Sequence, residues 1–332
     1  MKALTTAATA VALTLSAGAA FADCDPGETV IKFSHVTSST SPKGLAADLL
    51  AERVNKEMDG KVCMEVYPNT TLYDDDKVLE AMLNGDVQMA APSLSKFEKY
   101  TKKLRIFDLP FMFKNMEAIN AFQTSETGEA MKQSMMRRGL LGLAFWHNGL
   151  KQFSADKPLL LPDDAKGLKF RVQASDVLVA QMEALDASPQ PMAFSEVYGA
   201  LQTGVVDGQE NTWSNIYTQK FFEVQDGITE SNHGVIDYMV VTSVEWWEGL
   251  DPEIRDQLAT ILQEVTVTRN TESTAVNQAA KQAIIDAGTT VRTLTPEQRQ
   301  AWVDVMKPVW AEFEADVGAD AIAVAQEINE QY

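Results

Sequence analysis

The sequence predicts an α/β fold built as two lobes, each a mainly parallel sheet flanked by helices. The order strand, helix, strand, helix, strand occurs once from residue 30 and again from residue 168. This order is typical of parallel sheets, because each crossover helix returns the chain to the start of the next strand. Outside both runs lie a long apolar strand and a long uninterrupted helix, which predict how the two lobes are joined.

The first run alternates strand-like and helix-like patterns. Ser41 and Gly60 bracket its first helix, as an N-terminal cap and a C-terminal stop do. The predicted elements are a strand over 30–36, a helix over 41–60, a strand over 61–68, a helix over 74–86 and a strand over 87–92.

The second run repeats this order and contains a faint echo of the first. Its predicted elements are strands over 168–172, 188–192 and 205–211 and helices over 175–185 and 195–204. Val78, Ala81, Met82, Gly85 and Val87 match Val197, Ala200, Leu201, Gly204 and Val206 in spacing. Since any junction of helix, glycine and strand tends to look alike, this echo indicates architecture only.

The remaining segments connect the lobes. We expect a helix around 115–138, a strand over 140–156 that crosses between the lobes, and a further strand over 235–247. No Pro or Gly occurs between Pro252 and Gly288, so this helix would span about 50 Å and bridge both lobes. The predicted lobes are residues 23–147 plus 233–270, and residues 148–232 plus 271–332.

The N-terminus predicts export. Residues 1–22 carry one Lys, then an apolar Ala-rich stretch that ends in Ala20-Phe21-Ala22, the form that signal peptidase cleaves. The formal net charge is -19, or -20 without Lys2, which argues against nucleic-acid and lipid partners. In an exported protein Cys24 and Cys63 are expected to form a disulfide, although a free buried Cys63 is the alternative.

Arg171 and Asn211 are the first candidate site residues. Ligands bind beyond the carboxyl ends of the strands in open parallel sheets, and both residues lie near the ends of strands in the second run. A guanidinium presents a fork that matches a carboxylate, and an Asn amide adds another donor. The competing interpretation is that Arg171 forms an ordinary salt bridge with a local acid.

The first lobe offers its own candidates at the equivalent edge. His35 and Lys43 follow the first strand, and Ser93 follows the third. Lys43 lies in the first turn of a helix, where a cation is unfavourable with the helix dipole. An anion held there by the ammonium and by free N–H groups would explain the placement, although a solvated lysine is the alternative.

Three segments resemble the solute-binding subunits of tripartite ATP-independent periplasmic (TRAP) transporters, and most closely the C4-dicarboxylate group. They are residues 33–54, 87–113 and, above all, 166–225. The resemblance covers essentially the whole chain after the signal peptide. It implies a periplasmic protein that has no catalytic residues, metal or cofactor, binds a small organic acid, in this group a C4-dicarboxylate, and serves TRAP membrane subunits.

The resemblance also implies roles for particular residues. Arg171 corresponds to the Arg that bonds the substrate carboxylate in the family, and Asn211 to the Asn that orients it. Lys151 occupies a position on the crossing strand where many relatives carry Arg, so the fork geometry is lost there. Ser93 and Lys43 are implied as partners of the second carboxylate.

Other interpretations remain open from the sequence. The cargo could be a sugar acid, a monocarboxylate or an amino-acid-like anion, and Lys43 is the residue expected to decide among these. Ser93 and Lys96 match the S-x-x-K pattern of serine hydrolases, but neither S-D-N nor K-T-G occurs in the chain. Trp146 and Trp213 adjoin the site candidates and are candidates to cover the ligand.

Overall fold

The computed structural model describes residues 24–332. Its strands are Thr29–Ser34 (β1), Val62–Tyr67 (β2), Met89–Ala90 (β3), Leu140–Ala155 (β4), Lys169–Val172 (β5), Ser188–Pro191 (β6), Gly208–Thr212 (β7), Gly227–Glu230 (β8), Val235–Ser243 (β9) and Thr290–Thr293 (β10). The signal peptide predicted over residues 1–22 lies outside the described residues.

Helices surround these strands. They are Pro42–Glu57 (α1), Val78–Leu83 (α2), Met116–Gln123 (α3), Glu126–Gln133 (α4), Asp176–Ala184 (α5), Val197–Gln202 (α6), Trp213–Thr218 (α7), Val244–Gly249 (α8), Pro252–Asp286 (α9), Pro296–Met306 (α10), Trp310–Val317 (α11) and Ala319–Gln331 (α12). Short 3₁₀ turns cover Leu94–Phe97, Lys103–Phe107, Met136–Arg138, Pro162–Ala165, Phe194–Glu196, Phe221–Val224 and Lys307–Val309. Within residues 24–332 no helix is both long enough and apolar enough to span a bilayer.

Both predicted β-α-β-α-β units form mainly parallel sheets. In the first, β1 pairs in parallel with β2 and β3, and β3 pairs with the antiparallel β9. In the second, β5 pairs in parallel with β6 and β7. This arrangement confirms the predicted α/β class.

Strand β4 joins the two sheets. Its first part, as far as Leu150, pairs with β9, and its second part, from Lys151, pairs with β7. A register shift between His147 and Gly149 frees Asn148 from regular pairing. Asn148 instead donates its backbone N–H to Asp237 and its side-chain amide to Thr212 and Tyr238. One polar side chain therefore ties the two sheets together where the strand changes partner.

The long helix α9 supports the same connection from outside. It runs for 35 residues and packs against α1, beside the first sheet, and against α7, beside the second. It begins at Pro252 with Asp251 as its cap, and its buried residues follow one face from Leu258 to Ile284. The lobe boundaries 23–147 plus 233–270 and 148–232 plus 271–332 stay a prediction.

Two predicted elements were wrong in their bounds. The helix expected around 115–138 is interrupted, because Ser125 ends α3 and caps α4 by accepting from the Gly128 N–H. The strand expected over 235–247 ends at Ser243, whose side chain caps α8 by accepting from the Trp246 N–H. In both cases a serine cap starts a helix inside a segment that the apolar pattern presents as continuous.

The predicted disulfide is present between Cys24 and Cys63. Cys63 lies in β2, paired beside Val30 of β1, and Cys24 precedes β1. The bridge therefore ties the start of the described chain to an edge strand of the first sheet.

Removing this bridge is expected to destabilise the protein. It closes a separation of 39 residues, so replacing both cysteines, Cys24→Ser with Cys63→Ser, should lower the free energy of unfolding by about 4 kcal/mol. Denaturant unfolding followed by tryptophan fluorescence measures this change. An unchanged midpoint in the double variant would contradict the expectation.

Candidate functional site

A pocket lies where the strand ends of the two sheets meet. The space between its walls, including the part that opens to solvent, is about 400 Å³. Its walls are the segments after β1, β3 and β6, the end of β5 with the residue after it, the segment before α2, and residues of β7, α7 and β9. The lining residues are Val36, Thr37, Asp74, Asp75, Asp76, Ser93, Lys96, Arg171, Gln173, Phe194, Asn211, Asn215, Ile236 and Tyr238. Arg171, Asn211 and Ser93, chosen from the sequence, are therefore brought together.

Arg171 is almost completely buried at one wall of this pocket. Its Nε and Nη2 both donate to the Met192 carbonyl, at 3.1 and 2.8 Å, and its guanidinium lies 5.9 Å from the centre of the Phe194 ring. Burial lowers the pKa of Arg171 to about 10, and Glu210 is the foremost of the acidic groups that oppose this shift. The local salt bridge considered as an alternative does not form: the side chain is held by a carbonyl.

Asn211 is oriented by its neighbours on β7 and α7. Its Oδ1 accepts from the Thr212 N–H at 3.1 Å and from the Asn215 Nδ2 at 2.8 Å. Its own Nδ2 has no hydrogen-bond partner among residues 24–332. Asn211 therefore resembles Arg171. Both residues line the pocket, and each has a side-chain donor without an acceptor among the described residues.

Tyr238, in β9, lines the pocket. It was not identified from the sequence, because there it is one aromatic residue within an apolar strand. Its hydroxyl oxygen accepts from Asn148 and from Asn215, at 2.9 and 3.3 Å. Burial raises the pKa of the Tyr238 hydroxyl, so the hydroxyl keeps its proton at neutral pH. That proton has no acceptor among the described residues, which makes the O–H a third free donor.

Lys43 lies beneath the lining rather than in it. Its side chain is fully buried, its Nζ donates to the Ala91 carbonyl at 2.9 Å, and the same atom lies 3.8 Å from the centre of the Tyr238 ring. Burial lowers the pKa of Lys43 to about 8, while Asp75, 3.9 Å away, acts in the opposite direction. The expectation of a solvated lysine is wrong.

The first turn of α1 does not offer all of its N–H groups to a ligand. The Ser41 side chain accepts from the Gly44 N–H and caps the helix. A Cβ on Gly44 would come within 2.2 Å of the Ser38 carbonyl, so the preceding loop covers this turn closely. The Gly44 N–H is therefore not free to hold an anion, and this part of the hypothesis is wrong. The Lys43 ammonium is the part of the hypothesis that remains.

Ser93 and His35 lie at different depths from the pocket. Ser93 lines the pocket, and its backbone N–H donates to Asp75 at 3.3 Å. His35 is buried behind the lining, with Nδ1 3.3 Å from the Thr37 hydroxyl and Nε2 unpaired within the described residues. Burial and the nearby Lys43 lower the pKa of His35 to about 3, so its ring is neutral.

The acidic residues Asp74, Asp75 and Asp76 lie just before α2. Asp74 closes the turn that precedes this helix, accepting from the Asp76 and Lys77 N–H groups at 2.9 Å. All three nevertheless line the pocket, and Asp76 holds the Lys96 ammonium at 2.6 Å. A run of acids is an ordinary helix-start pattern, so the sequence contained no signal that separated this role from capping.

Three candidates are not brought to the pocket lining. The Lys151 ammonium lies 2.6 Å from a Glu210 carboxylate oxygen that also contacts His233 at 2.8 Å. Trp146 stacks on Phe33 and donates to the hydroxyl of Thr266 in α9, and so belongs to the core. Trp213 likewise packs in a core cluster, and covering of the ligand by either tryptophan stays a prediction.

Glu210 anchors the group around Lys151. Burial alone would raise the pKa of Glu210, but Lys151 and His233 lower it to about 2. Glu210 is therefore a permanent buried anion that neutralises Lys151. The Lys151 ammonium is thus already engaged with an acid.

The sequence also missed Gln173 and Phe194. Gln173 lies two positions beyond Arg171, on the same side of the extended chain, and this spacing is a usable signal. Phe194 follows β6 in a 3₁₀ turn, and no pattern in the sequence separates it from a core aromatic.

Two α/β lobes with a pocket between them that contains free donors are the architecture of a solute-binding protein. The chain belongs to the bacterial extracellular solute-binding proteins, family 7, whose model matches residues 33–316. This membership confirms the resemblance found in the sequence.

Individual relatives agree with the family. The C4-dicarboxylate-binding periplasmic protein DctP of Vibrio cholerae is 65% identical over 331 residues, covering 99% of both chains. A TRAP solute-binding protein of Shewanella oneidensis, solved with bound succinate, has a TM-score of 0.90 and 51% identity, covering 91% of this chain and 99% of that one. A Pseudomonas aeruginosa counterpart with bound L-malate has a TM-score of 0.84 and 46% identity, covering 86% and 99%.

Proposed function

We propose that this periplasmic protein binds a C4-dicarboxylate in the pocket between its lobes and delivers it to the membrane subunits of a TRAP transporter. The observation that carries the proposal is the buried Arg171, which is held by the Met192 carbonyl and has no acidic partner in direct contact. A buried cation of this kind is stabilised by an anion that enters the pocket.

The donors of the pocket suit a carboxylate. Arg171 uses Nε and Nη2 on Met192, which leaves Nη1 without a protein partner within the described chain. The Asn211 amide and the Tyr238 hydroxyl each have a donor left over as well. Three unsatisfied donors around one space are costly when empty and match the several lone pairs of a carboxylate.

Lys43 supplies the charge for a second carboxylate. Its ammonium lies behind the Tyr238 ring and acts through the electrostatic field, because it does not line the pocket itself. In a buried environment such a charge is screened weakly, so it favours a dianion over a monoanion. Other acids, such as a sugar acid, a monocarboxylate or an amino-acid-like anion, would gain less from Lys43.

The relatives support the same ligand class. The Vibrio cholerae protein is named for C4-dicarboxylate binding, and the two solved structures contain succinate and L-malate. Arg171, Asn211, Lys43 and Ser93 are proposed as the residues that act on the ligand, with His35 in support behind Thr37. A ligand contact by Lys151 stays a prediction.

Binding, rather than chemistry, is the proposed activity. Lys96 is held by Asp76, and the Ser93 hydroxyl has Ser95 as its side-chain neighbour at 3.5 Å. Ser93 therefore has no general base within hydrogen-bonding distance among residues 24–332, which a serine nucleophile needs.

A fluorophosphonate probe is accordingly expected to leave Ser93 unmodified. Intact-mass measurement after incubation checks this, with a known serine hydrolase as the positive control. A stoichiometric adduct that disappears in Ser93→Ala would support the hydrolase alternative instead.

Replacing Arg171 is expected to weaken dicarboxylate binding strongly. Arg171→Ala should cost at least about 2 kcal/mol, or about 30-fold in Kd, because a buried carboxylate loses its charged donors. Arg171→Lys keeps the charge but loses the fork, so its affinity should lie between those of wild type and Arg171→Ala. Isothermal titration calorimetry with succinate measures all three.

The matched control for this experiment is Arg53→Ala. Arg53 lies on α1 and pairs with Glu57 and Glu264 at the surface, so its removal should leave the Kd unchanged. Equal affinity in wild type and Arg171→Ala would refute the proposed site.

Lys43 predicts how affinity depends on pH. Its pKa in the empty protein is about 8, and an anionic ligand raises that pKa by stabilising the ammonium. Below pH 8 Lys43 is charged with or without ligand, so it adds no pH dependence. Above pH 8 binding requires uptake of a proton, and affinity should fall by up to about tenfold per pH unit.

Calorimetric titration of wild type and Lys43→Met with the ligand between pH 7 and 9.5 measures this effect. Repeating it in buffers of different ionisation enthalpy gives the number of protons taken up on binding. The variant should bind more weakly at pH 7 and lose the decline above pH 8. Identical profiles, or an unchanged affinity for succinate and malate in Lys43→Met, would argue against the dicarboxylate assignment.

A further inference from the structure

Two acceptor oxygens in the pocket lack donors. Asp75 accepts from the Ser93 N–H through Oδ2, which also lies 3.9 Å from the Lys43 Nζ. Its Oδ1 has no hydrogen-bond partner in the part of the chain that the structure describes. The Asn215 Oδ1 is buried and likewise unpaired there. Both residues line the pocket that contains Arg171.

The orientation of the Asn215 amide follows from its neighbours. The Asn211 Oδ1 accepts from the Thr212 N–H, which fixes that atom as oxygen. Asn215 must therefore present its nitrogen to Asn211, and the same nitrogen donates to the Tyr238 hydroxyl. The unpaired atom of Asn215 is consequently an acceptor and cannot be converted into a donor by rotating the amide.

A fully ionised, unsubstituted dicarboxylate does not satisfy these two oxygens. It carries acceptors only, so it can occupy the donors of Arg171, Asn211 and Tyr238 but brings nothing to Asp75 or Asn215. The Asn215 Oδ1 is buried without a donor, which is unfavourable, and the Asp75 carboxylate also repels a ligand anion. The pocket thus contains free acceptors as well as free donors.

We infer that Asp75, together with the Asn215 Oδ1, accepts a hydrogen bond from a hydroxyl on the ligand and makes the pocket prefer a hydroxy-dicarboxylate to its unsubstituted analogue. This inference rests on the proposed dicarboxylate function and assigns Asp75 as the specificity-determining residue. A hydroxyl suits the position better than an ammonium, because the buried Lys43 ammonium lies 3.9 Å from Asp75 and repels a second cation.

Calorimetric titration of wild type, Asp75→Ala and the isosteric Asp75→Asn with L-malate and with succinate tests the inference. Wild type should bind L-malate about tenfold more tightly, as expected for a hydrogen bond to a charged acceptor. In Asp75→Ala this preference should shrink to within about twofold, with weaker malate binding and equal or tighter succinate binding. Asp75→Asn keeps the shape of the side chain, and its preference for L-malate over succinate should lie between those of wild type and Asp75→Ala.

The matched control is Asp76→Asn, which removes an acid of the same run that is already paired with Lys96. It should change both affinities by the same factor. A wild type without preference, a preference that persists in both Asp75 variants, or tighter binding of L-aspartate than of L-malate would overturn the hydroxyl assignment while leaving dicarboxylate binding intact. Absence of binding by either acid would refute the proposed function itself, and this inference with it.

Discussion

The proposed site depends on a buried guanidinium in a strongly acidic chain. Arg171 loses most of its hydration, and its direct compensation is the Met192 carbonyl. Acidic groups at greater distance, Glu210 foremost, keep the guanidinium charged without occupying its fork. In the proposed function an incoming anion would compensate this charge more directly than the distant acids do.

The other cations of the region are arranged so that they do not compete with Arg171. Lys96 is paired with Asp76, and Lys151 is neutralised by Glu210. Lys43 is shielded by the Tyr238 ring and contributes its charge from behind. Arg171 thus keeps its Nη1 without a protein partner among residues 24–332, and in the proposed function the Lys43 ammonium favours ligands with a second negative charge.

The fold and a small part of the candidate site could be predicted because they depend on local patterns. Strand and helix periodicity defined both β-α-β-α-β units, and the carboxyl-end rule then placed Arg171 and Asn211 together although they are 40 positions apart. Errors arose where one side chain overrides a pattern. Ser125 and Ser243 start helices within apolar segments, and the two tryptophans next to site candidates turned out to fill the core.

The sequence by itself determined the α/β class, the disulfide and the choice of Arg171 as the candidate site residue, because each follows from spacing, chemistry or a strand end. The tertiary structure alone decided which charges are free. Whether Lys43, Lys151 or Asp75 faces a ligand depends on partners that are distant in sequence, such as Tyr238 and Glu210. Hydration and pairing of a charge are properties of the packed surroundings, and no local pattern along the chain encodes them.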